Sequence, residues 1–318
     1  MLFHSTSISI GLSLFFLACC LPLLWPLLII YLVYLQFSTA ATNGSTNHRL
    51  ELLRRSKTFS LFGSYFPARL YRTVELDPNK KYLLGYHPHG IIAHGAFAAF
   101  CTESLGLSVL FPGLTFALTT LESNFKIPFY REYALAMGLI SVGKRSCMNF
   151  LTRGGSDGAG RGKAVVIVVG GASESLDAKE GAMKLTLRSR KGFVKLAIQA
   201  GADLCPVLCF GENELYSTIT HDTNPEIYKF QLRFKKAFGW TVPIFHARGV
   251  FNYSGGLMPY RHPMHIIVGR PIAVRQMDAP EGGYIDELQG LYIEELKRMF
   301  FEGREAFAAN PKNDLQIV

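Results

Sequence analysis

The sequence predicts an α/β protein, a mixed sheet with flanking helices, preceded by a hydrophobic hairpin in a membrane. Three observations predict it. An uncharged apolar run fills positions 8–37, short valine- and isoleucine-rich segments recur after it, and helical periodicities fall between those segments. A chain of 318 residues is long enough for one such unit with an appendage.

The apolar run "ISIGLSLFFLACCLPLLWPLLIIYLVYLQF" exceeds the ~20 residues that a helix needs to cross a bilayer, yet is short for two full passes. No charge or histidine occurs from Ser5 to Asn47. Pro22 and Pro26 interrupt its middle, where a helix kinks or reverses. Arg49, Arg54, Arg55 and Lys57 follow at once, which puts the remaining chain on the cytosolic side. Two topologies fit, a single pass with a luminal N-terminus or a shallow hairpin; the mid-run prolines favour the hairpin. A cleaved signal peptide competes, with "STAAT" (38–42) as its cleavage site and "NGS" (43–45) as a glycosylation sequon. It lacks a basic leading region, and the run outgrows the roughly 7–15 residues of a signal core. The expected organisation is an anchor over 1–48 and a cytosol-facing domain over 49–318.

Four apolar segments read as strands covered on both faces: "KYLLGY" (81–86), "AVVIVV" (164–169), "LCPVLCF" (204–210) and "HIIVG" (265–269). The first three end in polar turns, "HPHG", "GGASE" and "GENE", which a parallel sheet would gather at one edge. Between them, "RKGFVKLAIQAGA" (190–202) sets Phe193, Leu196, Ala197 and Ala200 on one helical face, with Gly201 as the stop. Ile285, Leu288, Tyr292, Leu296 and Met299 recur at helical spacing near the C-terminus. The apolar stretch 90–121 is broken by Glu103, several glycines and Pro112. It is expected to be a core helix followed by a membrane-facing segment, a lipid-side entrance beside the histidines.

Those turns carry the candidate chemistry. Pro88 drives His87 towards extended backbone and Gly90 permits a tight turn, so "HPHG" can present an imidazole at a strand end. Imidazole, with a reference pKa of about 6.5, serves as a general base at neutral pH; a hydrogen-bonded structural turn is the alternative. Gly170 and Gly171 can offer N–H groups to an oxyanion. Glu174 can orient or charge-stabilise a histidine, or simply cap the helix that follows. Arg161, Lys163, Arg188, Arg190 and Lys191 supply cations that could meet phosphates; a solvated basic face is the alternative.

Other classes lose ground. The net charge of +9 suits phosphates or anionic lipid, but no zinc-finger, RRM or KH pattern supports nucleic acid. The six cysteines show no C-x-x-C spacing and read as buried thiols. His87, His89 and His94 lack the companions of a metal site. "GASES" lacks the closing glycine of a serine-hydrolase elbow. In "GGSDGAGRGK" (154–163), Lys163 precedes Ala164 rather than Ser or Thr, and the stretch leads into a strand, so a phosphate loop is excluded and a mobile loop expected.

In order along the chain stand "YFP" (65–67), "YHPHG" (86–90), "VVGGASESL" (168–176), "RKGFVKLAIQAGADLCPVLCFGENE" (190–214), "RGVFNYSGGLMPYR" (248–261) and "VGRPI" (268–272). Together these blocks resemble the type-2 diacylglycerol acyltransferase family, with its monoacylglycerol and wax-ester relatives, over roughly residues 59–300. The resemblance implies a glycerolipid-acyltransferase-like fold and acyl transfer from acyl-CoA to a neutral alcohol, with diacylglycerol as the expected acceptor and monoacylglycerol or fatty alcohol as alternatives. It implies a membrane-lipid setting, the cytosolic face of the endoplasmic reticulum and lipid droplets, and no cofactor beyond acyl-CoA as substrate. A homo-oligomer stays open. The histidine block carries over as active-site sequence onto His87, His89 and Gly90. In the distant glycerolipid acyltransferases a histidine pairs with an aspartate five positions on; here those positions are Ile92 and His94. Glu174 is therefore the candidate acid. Those analogues also carry an arginine for an acceptor phosphate where this chain reads "GGASES", which suits a neutral acceptor. The expected assignments are His89 as base with His87 and Glu174 supporting it, and Gly90, Gly170, Gly171, Arg188, Lys191, Glu212, Asn213 and Glu214 on the substrates. A non-catalytic lipid-droplet protein is the reading from another class, and histidine and glycine turns gathered at strand ends speak against it.

Overall fold

A computed structural model describes residues 6–218, 224–238, 244–251, 253, 255–312 and 314–318. Ser5 of the uncharged stretch, and Asn252 and Ser254 of the block 248–261, lie outside the described residues. The strands are β1 (Arg69–Arg72), β2 (Tyr82–His87), β3 (Thr115–Thr120), β4 (Ile140–Ser141), β5 (Lys163–Val168), β6 (Met183–Leu185), β7 (Asp203–Phe210), β8 (Ser217–Thr218), β9 (Phe245–His246), β10 (His265–Val268) and β11 (Leu315–Ile317). The helices used below are α1 (Ser7–Cys19), α2 (Trp25–Phe37), α3 (Lys57–Tyr65), α4 (Tyr130–Ala136), α5 (Lys144–Thr152), α6 (Ala172–Asp177), α7 (Gly192–Ala200) and α8 (Gly282–Phe307).

The main sheet runs β1-β10-β7-β2-β5-β3-β4. β7, β2, β5, β3 and β4 are parallel, while β10 joins β7 antiparallel and carries β1 in parallel. This is the mixed α/β sheet that the apolar runs predict, and the four runs are its four adjacent strands β10, β7, β2 and β5. Their alternate residues feed two cores, as the two-residue period of a strand requires. Leu84, Tyr86, Val166 and Val207 pack with Phe59 and Phe62 of α3 and with the buried segment His94–Cys101. Leu83, Val165, Leu204 and Leu208 pack beneath α5, α7 and α8. The expected inward faces of α7 and α8 are buried, and Gly201 ends α7.

One expectation holds only in part. In the stretch 90–121 the core helix is there, His94–Ala96 continuing as a π-turn over Phe97–Cys101; a short helix, Leu107–Leu110, follows with Val109 exposed, and the last part is β3, inside the sheet. Phe116, Ala117 and Leu118 are buried between β5 and the sheet edge. Burial in protein and burial in lipid demand the same apolar composition, so hydropathy alone could not separate them. The π-turn ends on Arg54, which is buried and donates to the carbonyls of Cys101 (2.7 Å) and Phe100 (3.4 Å).

At the N-terminus, α1 and the run Pro22–Phe37 meet at a 102° bend. Among the described residues no single helix is long and apolar enough to cross a membrane, whereas this bent pair qualifies by length and composition. Its second arm is fastened to α4. Tyr31 Oη donates to Glu132 Oε2 at 2.5 Å, and Arg131 donates to Ser38 Oγ at 2.6 Å while lying 5.0 Å from the Tyr34 ring centroid. Ala40 and Ala41 belong to the sheet's core, so the chain beyond Ser38 is already part of the folded unit.

Candidate active site

Because β2, β5 and β7 are parallel neighbours, the turns that follow them emerge at one edge, with the β2 turn in the middle. Gly90 turns with φ +55°, where a side chain is disfavoured, and a Cβ there would sit 2.7 Å from Glu212 Cγ. This turn delivers His89.

His89 is partly buried. Its Nδ1 lies 3.1 Å from the Gly90 carbonyl oxygen and 2.8 Å from Ser175 Oγ on α6. A carbonyl only accepts, so the Gly90 contact puts the proton on Nδ1 and leaves a lone pair on Nε2. No partner hydrogen-bonds Nε2 among the described residues. Burial lowers the pKa of this imidazole, so it is neutral at pH 7.

His87 differs. It is fully buried, and its Nε2 lies 3.0 Å from Tyr292 Oη. That hydroxyl donates to the Gly85 carbonyl at 2.9 Å, so it accepts from His87 Nε2–H. Nδ1 is then the bare nitrogen, buried and without a partner. Burial pushes the pKa down to about 3. Two histidines two residues apart thus hold opposite tautomers in different surroundings.

Glu174 holds the backbone of His89 rather than its ring. Its Oε2 accepts the His89 N–H at 2.9 Å and its Oε1 the Thr186 N–H at 2.7 Å. Gly170 makes room for this carboxyl, since a Cβ there would lie 1.8 Å from Glu174 Cδ. Burial raises the carboxyl pKa to about 7 against the opposing pull of the two N–H donors. The N–H groups of Gly90 and Gly171 have no hydrogen-bond partner among the described residues.

In the "GENE" turn, expected to meet the substrates, Glu212, Asn213 Nδ2 and Glu214 Oε1 are engaged within the protein, while Asn213 Oδ1 is buried with no partner. Glu212 is buried and accepts from Tyr86 Oη (2.6 Å), His94 N–H (2.7 Å) and Gly95 N–H (2.9 Å). Burial lifts its pKa to about 7. Asn213 donates to the Ala182 carbonyl at 2.8 Å, and Glu214 accepts the Gly181 N–H at 3.2 Å. Asn213 and Glu214 face a space of about 20 Å³, room for a water and not for an acyl chain. These residues brace the loops around the histidines.

The cations divide. Arg188 turns away and donates to the Ile317 carbonyl at 3.2 Å. Arg190 reaches the Gly170 carbonyl and Ser173 Oγ, both at 3.3 Å, so a guanidinium does stand beside "GGASES" although the turn itself has none. Arg190 and Lys191 border a groove of about 570 Å³ together with Lys144 and Lys195, which the sequence reading missed. Lys191 also pairs with Asp286. Among the described residues no group of three His, Cys, Asp or Glu side chains could hold a metal ion.

Comparison with known proteins bears directly on this edge. The model of a family described as diacylglycerol acyltransferase matches residues 16–318. The chain belongs to that family. Diacylglycerol O-acyltransferase 2A of Umbelopsis ramanniana is 48% identical over 268 residues, covering 84% of this chain and 74% of that one. Bovine 2-acylglycerol O-acyltransferase 1 is 40% identical over 293 residues, covering 92% and 85%. Among solved structures, the 1-acyl-sn-glycerophosphate acyltransferase PlsC of Thermotoga maritima aligns over 76% of this chain and 79% of its own, at 13% identity and TM-score 0.40. Membership in the diacylglycerol acyltransferase family makes this chain an O-acyltransferase of glycerolipid synthesis and implies acyl-CoA and acylglycerol substrates. Within the histidine edge, Ser175 and Tyr292 are the polar partners that the sequence reading missed. Ser175 carried a faint signal in "GASES"; Tyr292, read only as one of an apolar stripe, carried none.

Proposed function

We propose that this chain is an acyl-CoA:diacylglycerol O-acyltransferase that makes triacylglycerol. The observation that carries the reading is the His89 ring, with its proton held on Nδ1 by the Gly90 carbonyl and a bare Nε2 left at the strand edge. His89 Nε2 takes the acceptor's hydroxyl proton as that oxygen attacks the thioester carbonyl. The tetrahedral intermediate's oxyanion is met by the N–H groups of Gly90 and Gly171. The C–S bond then breaks, the ester is released, and the proton on Nε2 passes to the CoA thiolate. Glu174 keeps the His89 backbone in place, and His87 with Tyr292 stiffens the end of β2.

The diacylglycerol acceptor is supported by the 48% identity to a relative named for it, against 40% and 43% for two relatives named for 2-acylglycerol. Those latter names favour 2-acylglycerol as the second reading. The same proposal has the helix pair within residues 1–48 anchored in the endoplasmic reticulum membrane, with residues 49–318 facing the cytosol and lipid droplets as a second location. The uncharged pair and the cations after it support this.

The test supplies full-length protein in membranes with labelled oleoyl-CoA and either diolein, 2-monoolein or hexadecanol. Triacylglycerol from diolein should be the dominant product, and His89→Ala should lower it about 10²–10⁴-fold with the protein still in the membrane. Preferred use of monoolein would sink the acceptor assignment. Undiminished synthesis by His89→Ala would sink the base.

A further inference from the structure

The groove noted above lies between α5 and α7, over Ile167 and Val169 at the end of β5. Lys144 enters from α5, and Arg190, Lys191 and Lys195 come from α7 and the residues before it, with no carboxylate in the lining. Lys144 and Lys195 are exposed and have no ion-pair partner among the described residues. Lys191 stands just before α7, a nine-residue helix that opens on Gly192 and Phe193 with no capping side chain and no acid in its first turn. The N–H groups of that turn add to the positive field of the groove. Ile167, Val169 and Phe193 give the same groove an apolar floor.

We infer that this groove binds the acyl-CoA donor, its phosphates on Lys144, Lys195, Arg190 and the start of α7, its pantetheine arm on the apolar floor. The inference rests on the acyl-CoA reading of the reaction and adds where the donor lies. A ligand with several phosphates at one end and a long flexible arm at the other matches a groove that is cationic at its rim and apolar beneath. A volume of about 570 Å³ falls within the ~300–1,000 Å³ of ligand sites. One residue of its lining, Val169, also adjoins the glycine turn. Val169 precedes Gly170, whose carbonyl is held by Arg190, and Gly170 packs against the Glu174 carboxyl that holds the His89 N–H.

The test uses the full-length chain in detergent with a double charge reversal, Lys144→Glu with Lys195→Glu. Lys297→Glu with Lys312→Glu, two exposed positions outside the groove, controls for net charge. The KM for oleoyl-CoA should rise about tenfold or more in the double variant, as loss of charge-assisted phosphate contacts requires. Its kcat and the acceptor KM should hold within twofold, and added salt should narrow the gap. An unchanged oleoyl-CoA KM overturns the inference and leaves the proposed function standing. Should wild type transfer no oleoyl group, the function falls instead, and the groove is judged by equilibrium binding of CoA itself. Weaker CoA binding in the double variant upholds it, and equal binding overturns it. A third arm offers dioctanoyl phosphatidic acid: if this displaces CoA from wild type at lower concentration than CoA's own, the groove serves a phospholipid headgroup and the inference fails.

Discussion

Ser175 Oγ lies 2.8 Å from Nδ1 of His89, across 86 residues of sequence. The Glu174 carboxylate beside it goes to the backbone of His89 and Thr186, so the neighbour that orients this imidazole is a hydroxyl and not an acid. A neutral partner steadies the ring's rotation without pre-charging it, while the Gly90 carbonyl sets the tautomer. Such a base gains little help in holding the proton it takes, which favours passing it on to the leaving thiolate.

Ser175 acts through His89 as a positioning residue. Ser175→Ala should lower kcat about tenfold, with the KM of either substrate within twofold, because the Gly90 carbonyl still holds Nδ1–H. Ser175→Thr, which keeps a hydroxyl, should recover most of that loss. Initial-rate kinetics on the three proteins decide it. Equal losses in both variants would point to packing, and a raised acceptor KM to substrate contact.

A second prediction concerns pH. The His89 pKa is depressed from 6.5 by burial, and the base works only when neutral. The acid limb of kcat/KM should therefore have its midpoint below 6.5, and a midpoint above 6.5 would remove His89 as the group that must be neutral. Glu174 acts on stability with the opposite slope. Its folded pKa of about 7 lies above the ordinary 4.5, so the folded state keeps a proton that the unfolded chain has lost. That contribution is complete below pH 4.5 and fades as pH rises through 7. Thermal unfolding of Glu174→Gln at pH 5 and pH 7.5 should show a smaller difference than wild type; an unchanged difference would assign the slope elsewhere.

How much of this was legible in the sequence depends on the range of each interaction. β2, β5, β7 and β10 announced themselves because strands covered on both faces read as unbroken apolar runs. β3 did not, since it closes a longer apolar stretch that also holds a buried helix. Gly90 and Gly170 were legible as special positions, as glycines at strand ends are. The partners of the two histidines were not: Ser175 and Tyr292 lie 86 and 205 residues away and meet them only when the sheet closes. Lys144 and Lys195 likewise sit on separate helices whose packing creates the groove.

Glu212 shows how a polar turn at a strand end can tie elements together, and it supplies the last prediction. Its two oxygens take the Tyr86 hydroxyl and the first N–H groups of the segment His94–Cys101, so the carboxyl ties β7 to β2 and to the helix behind the histidine turn. Glu212→Ala strands three buried donors, at roughly 1–3 kcal/mol each by the usual cost of an unpaired buried group. A loss of that size approaches the whole stability of a typical domain, ~5–15 kcal/mol. The variant should be depleted in membranes and unfold well below wild type in detergent. Glu212→Gln keeps the shape and one acceptor oxygen, and should fall between the two. For whatever folds, KM for diacylglycerol and acyl-CoA should match wild type, because the carboxyl is sealed from the substrates. A Glu212→Gln protein with wild-type thermal stability and a raised acceptor KM would return this residue to the binding site.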